Sequence, residues 1–107
     1  DKVSSGEVTY AVRDTTIDDK EIKAGDYMGI GDKGILSVEK DIDKVMLGML
    51  HEMVDDESSI ITLYFGKDVK KRAAKEMAEI VTAEFPNIEV ELQKGGQPVY
   101  FYVVSVE

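Results

Sequence analysis

The sequence predicts an α/β (α+β) protein: a two-layer sandwich in which two helices pack on one mixed sheet, in the order β-β-β-α-β-α-β-β. Three observations carry this expectation. Two segments space their apolar residues by three and four, several others alternate with period two, and breaks marked by glycine or proline separate them. Each helix then joins strands that must run parallel through a right-handed crossover, and short turns close antiparallel hairpins at each end. At 107 residues the chain suits one domain spanning 1–107.

Asp1 to Gly6 is small and polar and reads as a lead-in. From Glu7 to Thr15, the run Val8-Thr9-Tyr10-Ala11-Val12 alternates large and small side chains, as a strand does. Thr16 to Asp26 is acidic and broken by Gly25, so a loop is expected. Tyr27-Met28-Gly29-Ile30 and Ile35-Leu36-Ser37-Val38 flank Gly31-Asp32-Lys33-Gly34, which predicts a tight hairpin. Asp41 to Asp55 is the first helix, with Ile42, Val45, Met46, Met49, Leu50 and Met53 on one face. Asp41 stands at the N-cap position, and Asp43 faces the positive end of the helix dipole.

Ser59 to Phe65 is apolar on both alternating sets, as a central strand covered on both faces would be. Asp68 to Phe85 is the second helix, with Val69, Ala73, Met77, Ile80 and Val81 inward, and Pro86 stops it. Ile88, Val90 and Leu92 alternate with Glu89, Glu91 and Gln93 in a half-buried strand. A last strand, Val99 to Val106, follows Gly95-Gly96.

If Gly95 and Gly96 form a two-residue turn, Lys94 faces Gln97 and the remaining pairs follow by counting. Leu92 then meets Val99, Val90 meets Phe101, and Ile88 meets Val103 on the helix side. Tyr100 and Tyr102 fall on the other side beside Glu91 and Glu89. Tyrosines framed by carboxylates fit an interface, and they equally fit an ordinary amphipathic sheet face. Tyr100 and Tyr102 are therefore candidate partner-binding residues.

Charge and composition narrow the function classes. Thirteen basic against 22 acidic residues leave a net charge of −9, which argues against a nucleic-acid partner. No Cys is present, so disulfides and thiolate metal sites are excluded, and a cytoplasmic location fits. No apolar run reaches the ~20 residues of a membrane helix, and no signal peptide is recognisable. Gly29-Ile30-Gly31-Asp32-Lys33-Gly34 matches the dinucleotide fingerprint, but a strand follows where that motif requires a helix. The glycines are better read as serving positive φ in the hairpin. Gly95-Gly96-Gln97 matches the tripeptide of peptide release factors, yet it lacks their cationic surroundings, and a turn explains it.

His51 is the only histidine and flanks the apolar stripe of the first helix, a poor metal site by itself. Arg13, in Arg13-Asp14-Thr15-Thr16, either belongs to a capped turn or pairs with a phosphate or a partner's carboxylate. It joins the candidate partner-binding residues. No catalytic, cofactor-binding or metal-binding residue is assigned, and the scattered acidic residues do not keep calcium-loop spacing.

Three blocks of the chain together resemble a known family: Gly6-Glu7-Val8-Thr9-Tyr10-Ala11-Val12-Arg13-Asp14-Thr15; Ile22 through Gly25-Asp26-Tyr27-Met28-Gly29-Ile30; and Gly95-Gly96-Gln97-Pro98-Val99-Tyr100 with Ser105-Val106-Glu107. They look like the C-terminal end of the ATP-binding subunit of bacterial fatty acid kinase (FakA), a dihydroxyacetone-kinase-like (DAK-domain) family. The resemblance implies a fragment, the second part of a DegV-like C-terminal region, within a larger kinase subunit. It implies ATP and magnesium in an N-terminal domain outside this sequence and none in this fragment. It also implies docking of a DegV-like fatty-acid-binding subunit whose fatty acid is phosphorylated, with contacts to other domains of the parent chain. The expected function is thus a non-catalytic docking and scaffold domain. The alternative is a domain that itself holds an acyl chain or phosphate, which a pocket with apolar walls would favour.

Overall fold

Alternating strands and two amphipathic helices bury one continuous core of Val8, Val45, Met46, Met49, Leu50, Ile61, Leu63, Val81, Tyr102, Val104 and Val106. The computed structural model describes residues 3–107. In chain order the elements are β1 (Ser4–Tyr10), β2 (Thr15–Ile17), β3 (Lys20–Ile22), β4 (Tyr27–Gly31), β5 (Gly34–Glu39), α1 (Ile42–Met53), β6 (Ile60–Phe65), α2 (Lys71–Glu84), β7 (Glu89–Lys94) and β8 (Tyr102–Val106). Six strands form one sheet in the order β5-β4-β1-β8-β6-β7, and β2-β3 form a separate two-stranded arm. β6 and β7 pair in parallel across α2, and the other neighbours in the sheet pair antiparallel. The expected mixed sheet carrying two helices is the observed one.

Asp41 caps α1 as expected, its carboxylate accepting from the Asp43 amide at 2.8 Å. The β4–β5 hairpin also forms where expected, with Gly31 opposite Gly34. Of the three glycines there, only Gly34 has positive φ. Gly29 answers a different need: a Cβ on it would stand 2.9 Å from Met49 Cβ, so its absence lets α1 press onto the sheet.

Several expectations are corrected. The lead-in Ser4–Gly6 is strand, whereas Asp1 and Lys2 lie outside the described residues. The first strand ends at Tyr10 rather than Thr15, and Thr16 to Asp26 holds the β2–β3 arm instead of a loop. Asp18 and Asp19 make the arm's turn with φ of 53° and 64°, the left-handed pair that a primed hairpin turn needs and that aspartate tolerates. Asp26 latches the arm to the sheet: its carboxylate accepts from the Lys23 amide at 2.9 Å and from Lys40 Nζ at 2.6 Å. The second helix begins at Lys71 rather than Asp68 and buries Met77 and Val81 as expected, with Ala74 beside them in place of Ala73, which is exposed.

The largest correction concerns the last two strands. β7 and β8 do not pair; β6 lies between them, and the last strand begins at Tyr102. Seven residues, Gly95 to Phe101, separate the strands, enough to step across one intervening strand. β7 alternates Glu89 and Glu91 with Val90 and Leu92, a pattern tolerable at an edge. β8, with Tyr102, Val104 and Val106 all buried, belongs inside the sheet.

Candidate functional site

The connection from β7 to β8 closes over the end of β6. Gly95 and Gly96 amides both donate to the Phe65 carbonyl, and the Lys67 amide donates to the Gln97 carbonyl. The Gln97 side-chain amide donates to the Tyr64 carbonyl at 3.0 Å. A Cβ on Gly66 would stand 2.4 Å from the Tyr100 carbonyl oxygen, so only glycine lets the two backbones pass. Gly95-Gly96-Gln97 is therefore a crossing device rather than a hairpin turn. Beyond it the Tyr100 amide bonds back to the Pro98 carbonyl, with φ of 74° at Val99 between them. This is a strained γ-turn on a β-branched residue.

Under this crossing, on the helix side of the sheet, lies a cavity of about 700 Å³ lined by Phe65, Gly66, Lys67, Val69, Lys71, Lys75, Leu92 and Lys94. Phe65 and Leu92 come from the paired parallel strands, so the cavity sits past their carboxyl ends. The four lysines are exposed, and among the described residues none of them has a carboxylate within ion-pair distance. α2 begins beside them from Lys70, with no side-chain cap and no acidic residue in its first turn.

A second cleft, of about 400 Å³, lies between the starts of the two helices and is lined by Ile42, Asp43, Lys70, Glu76, Met77 and Tyr102 among others. Burial, and then the Asp43 carboxylate, push the Tyr102 phenol up to about 12. Asp43 is itself raised above the usual carboxylate range, first by burial and then by Asp41 and Glu76.

Both helices cover one face of the sheet; on the other face the apolar side chains are half-buried, and Ile22 of the β2–β3 arm is fully buried although it lies outside the helix-side core. Across all six strands, Ile35, Ile30, Glu7, Val103, Tyr64 and Gln93 form one row on the face away from the helices. Val38, Met28 and Thr9 form a second row. The Thr9 hydroxyl donates to the Val99 carbonyl at 3.3 Å, which ties the strained loop to that row. At the β7 border the row gives way to Glu89 and Glu91, and the hydrogen bond between their side chains, followed by the charge of Glu89, raises Glu91 above the usual range.

The expected partner-binding residues separate. Tyr102 is 2% exposed on the helix side beside Val8 and Phe65, which corrects its assignment to the open face. The cause is the register: counting through a hairpin that does not exist inverted the alternation. Tyr100 is half-buried in the crossing loop, and Arg13 is exposed just past the end of β1. Near them Phe101 stacks on Tyr10 at 5.6 Å and meets Tyr27 edge-on at 5.9 Å, while Val12 and Val99 stand exposed. His51 bridges the helices, its Nε2 sharing a hydrogen bond with Glu84 while its ring lies against Phe85. Sequence reasoning missed the lysine-lined cavity. The signal was present in Lys67, Lys70, Lys71, Arg72 and Lys75, a basic run in an acidic chain.

Fold and surfaces together define a two-layer α/β domain whose two helices cover one face of its sheet. The chain belongs to the FakA-like C-terminal family of fatty acid kinase subunits, whose model it matches over residues 1–107. It is 41% identical over 107 residues to an uncharacterized protein of Staphylococcus haemolyticus, covering 100% of this chain and 19% of that protein. It is 38% identical over 106 residues to Protein YloV of Bacillus subtilis, covering 99% of this chain and 19% of the relative. The chain thus spans about a fifth of the length of the curated relatives it matches.

Proposed function

We propose that this domain is a non-catalytic docking and scaffold module of a fatty acid kinase subunit. In this reading it recruits a DegV-like fatty-acid-binding subunit, whose fatty acid is phosphorylated by an ATP- and magnesium-binding domain elsewhere in the parent chain. The observation that supports it is the half-buried apolar surface on the sheet face away from the helices. An antiparallel sheet with one solvated face normally turns polar residues outward. This one places Met28, Ile30, Ile35, Val38, Tyr64 and Val103 there in two adjoining rows, with only Glu7, Thr9 and Gln93 as polar members. Rows of that kind need a partner surface, and Tyr64 offers a ring with a hydroxyl suited to a wet contact.

The test is association of the chain with a DegV-like protein, measured by calorimetry. Binding is expected, and Tyr64→Ala with Val103→Thr should weaken it by about 2 kcal/mol, as loss of a hot spot does. Absence of binding, or binding indifferent to that double substitution, removes the docking role from this face. A parallel titration with Mg-ATP should show no saturable binding; micromolar affinity for nucleotide would contradict the non-catalytic reading.

A further inference from the structure

We infer that the lysine-lined cavity between the end of β6, the start of α2 and β7 binds an anionic amphiphile, a small molecule carrying a phosphate or carboxylate on an apolar body. The inference stands apart from the docking role, which uses the opposite face of the sheet.

Charge supplies the first argument. The chain has a net charge of −9, yet Lys67, Lys71, Lys75 and Lys94, four of its 13 basic residues, gather around this one cavity. They are brought there by three separate segments: the β6–α2 connection, α2 itself and the end of β7. The four cavity lysines have no carboxylate within ion-pair distance among the described residues, so they repel one another, and an anion seated among them relieves that repulsion.

Shape and lining supply the second argument. Phe65, Val69 and Leu92 present apolar surface inside the lysine rim, so a bare inorganic anion would leave that surface unused. About 700 Å³ is the size of a small-ligand site rather than of a flat protein contact. The cavity also lies past the carboxyl ends of two parallel strands, where α/β sheets commonly hold ligands. An apolar tail over Leu92 and Phe65 with its anionic head among the lysines satisfies both parts at once. Each methylene buried there should strengthen binding roughly fourfold.

Titration with octyl phosphate below its micelle concentration, followed by amide chemical shifts, tests the site. Saturable binding is expected, with shifts centred on Phe65 to Lys75 and Leu92 to Lys94. Inorganic phosphate and octanol should each bind at least tenfold more weakly, and affinity should fall as salt is raised. The double charge reversal Lys71→Glu/Lys94→Glu, at two exposed positions, should weaken octyl phosphate at least tenfold while the thermal melt stays cooperative. The inference is overturned if octanol or inorganic phosphate binds as well as octyl phosphate, or if the charge reversal changes nothing. Binding seen only with phosphatidylglycerol vesicles would overturn it in favour of a membrane surface. A polyglutamate peptide that matches octyl phosphate would do so in favour of an acidic protein segment. None of these results bears on Tyr64 and Val103, so failure here leaves the docking test intact.

Discussion

The N-termini of α1 and α2 line the same cleft, with Tyr102 between them, and yet they are treated in opposite ways. At α1, Asp41 caps the helix and Asp43 sits in the first turn, so the positive end of the dipole is answered from within the chain. At α2, Lys70 occupies the cap position without a side-chain bond, Lys71 and Arg72 follow, and no acidic residue stands in the first turn. The first arrangement is complete in itself. The second has no side-chain cap, and Lys71 in its first turn is part of the lysine-lined cavity. One helix start is thus built for stability, and the other gives up some stability to keep a cationic surface.

The largest test of this comparison is Tyr102, the side chain both helix starts share. Tyr102→Ala opens a hole in the core and should cost about 3–5 kcal/mol in denaturant unfolding. Tyr100→Ala, in the crossing loop, should cost well under half as much. Equal losses at the two positions would show that Tyr102 is not the buried one.

Next in size is the response to base. The Tyr102 phenol ionises at about 12 in the fold against an ordinary value of 10.0. A raised pKa of this kind contributes stability that is intact below pH 10 and disappears as pH climbs through the folded value. Between those limits the loss should be on the order of 2 kcal/mol, since the folded state then holds the proton more tightly than the unfolded one. Tyr102→Phe should flatten this part of the pH–stability curve; an unchanged slope would assign it to other groups.

The smallest effects sharpen the contrast directly. Asp41→Ala should destabilise by about 1 kcal/mol through the lost cap. Lys70→Asp should do the reverse at α2, stabilising by about 0.5 kcal/mol through a new cap and a better-matched dipole. Thermal melts of the two variants settle the signs. If both destabilise alike, the second helix start is not the uncompensated one.

Much of the fold was legible because local chemistry specified it. The stripe from Ile42 to Met53 and the cap at Asp41 are properties of a few adjacent residues, and they appear as expected. The turn at Gly31-Asp32-Lys33-Gly34 is likewise local. The family was readable too, because its blocks are spans of chain, and the chain matches the family over its whole length. The β2–β3 arm was missed because its turn uses two aspartates at positive φ where glycine or asparagine is the stronger signal. Ala74 was misplaced by one position because Ala73 fits a helical stripe equally well, and only contact with the sheet chooses between them.

By itself, then, the sequence determined the two helices, the capped start of α1 and the family, all of which follow from residues close together in the chain. Tertiary structure decided what depends on strand order. Placing β6 between β7 and β8 sent Tyr102 into the core and left Tyr64 and Val103 on the face away from the helices. The same crossing turned Gly95-Gly96-Gln97 into a strap over β6 and set Lys94 beside Lys67, Lys71 and Lys75 around one cavity. The physical reason is the period of two along a strand: a change of neighbour or register by one residue moves every side chain to the other face, and no local pattern records which neighbour the sheet selects.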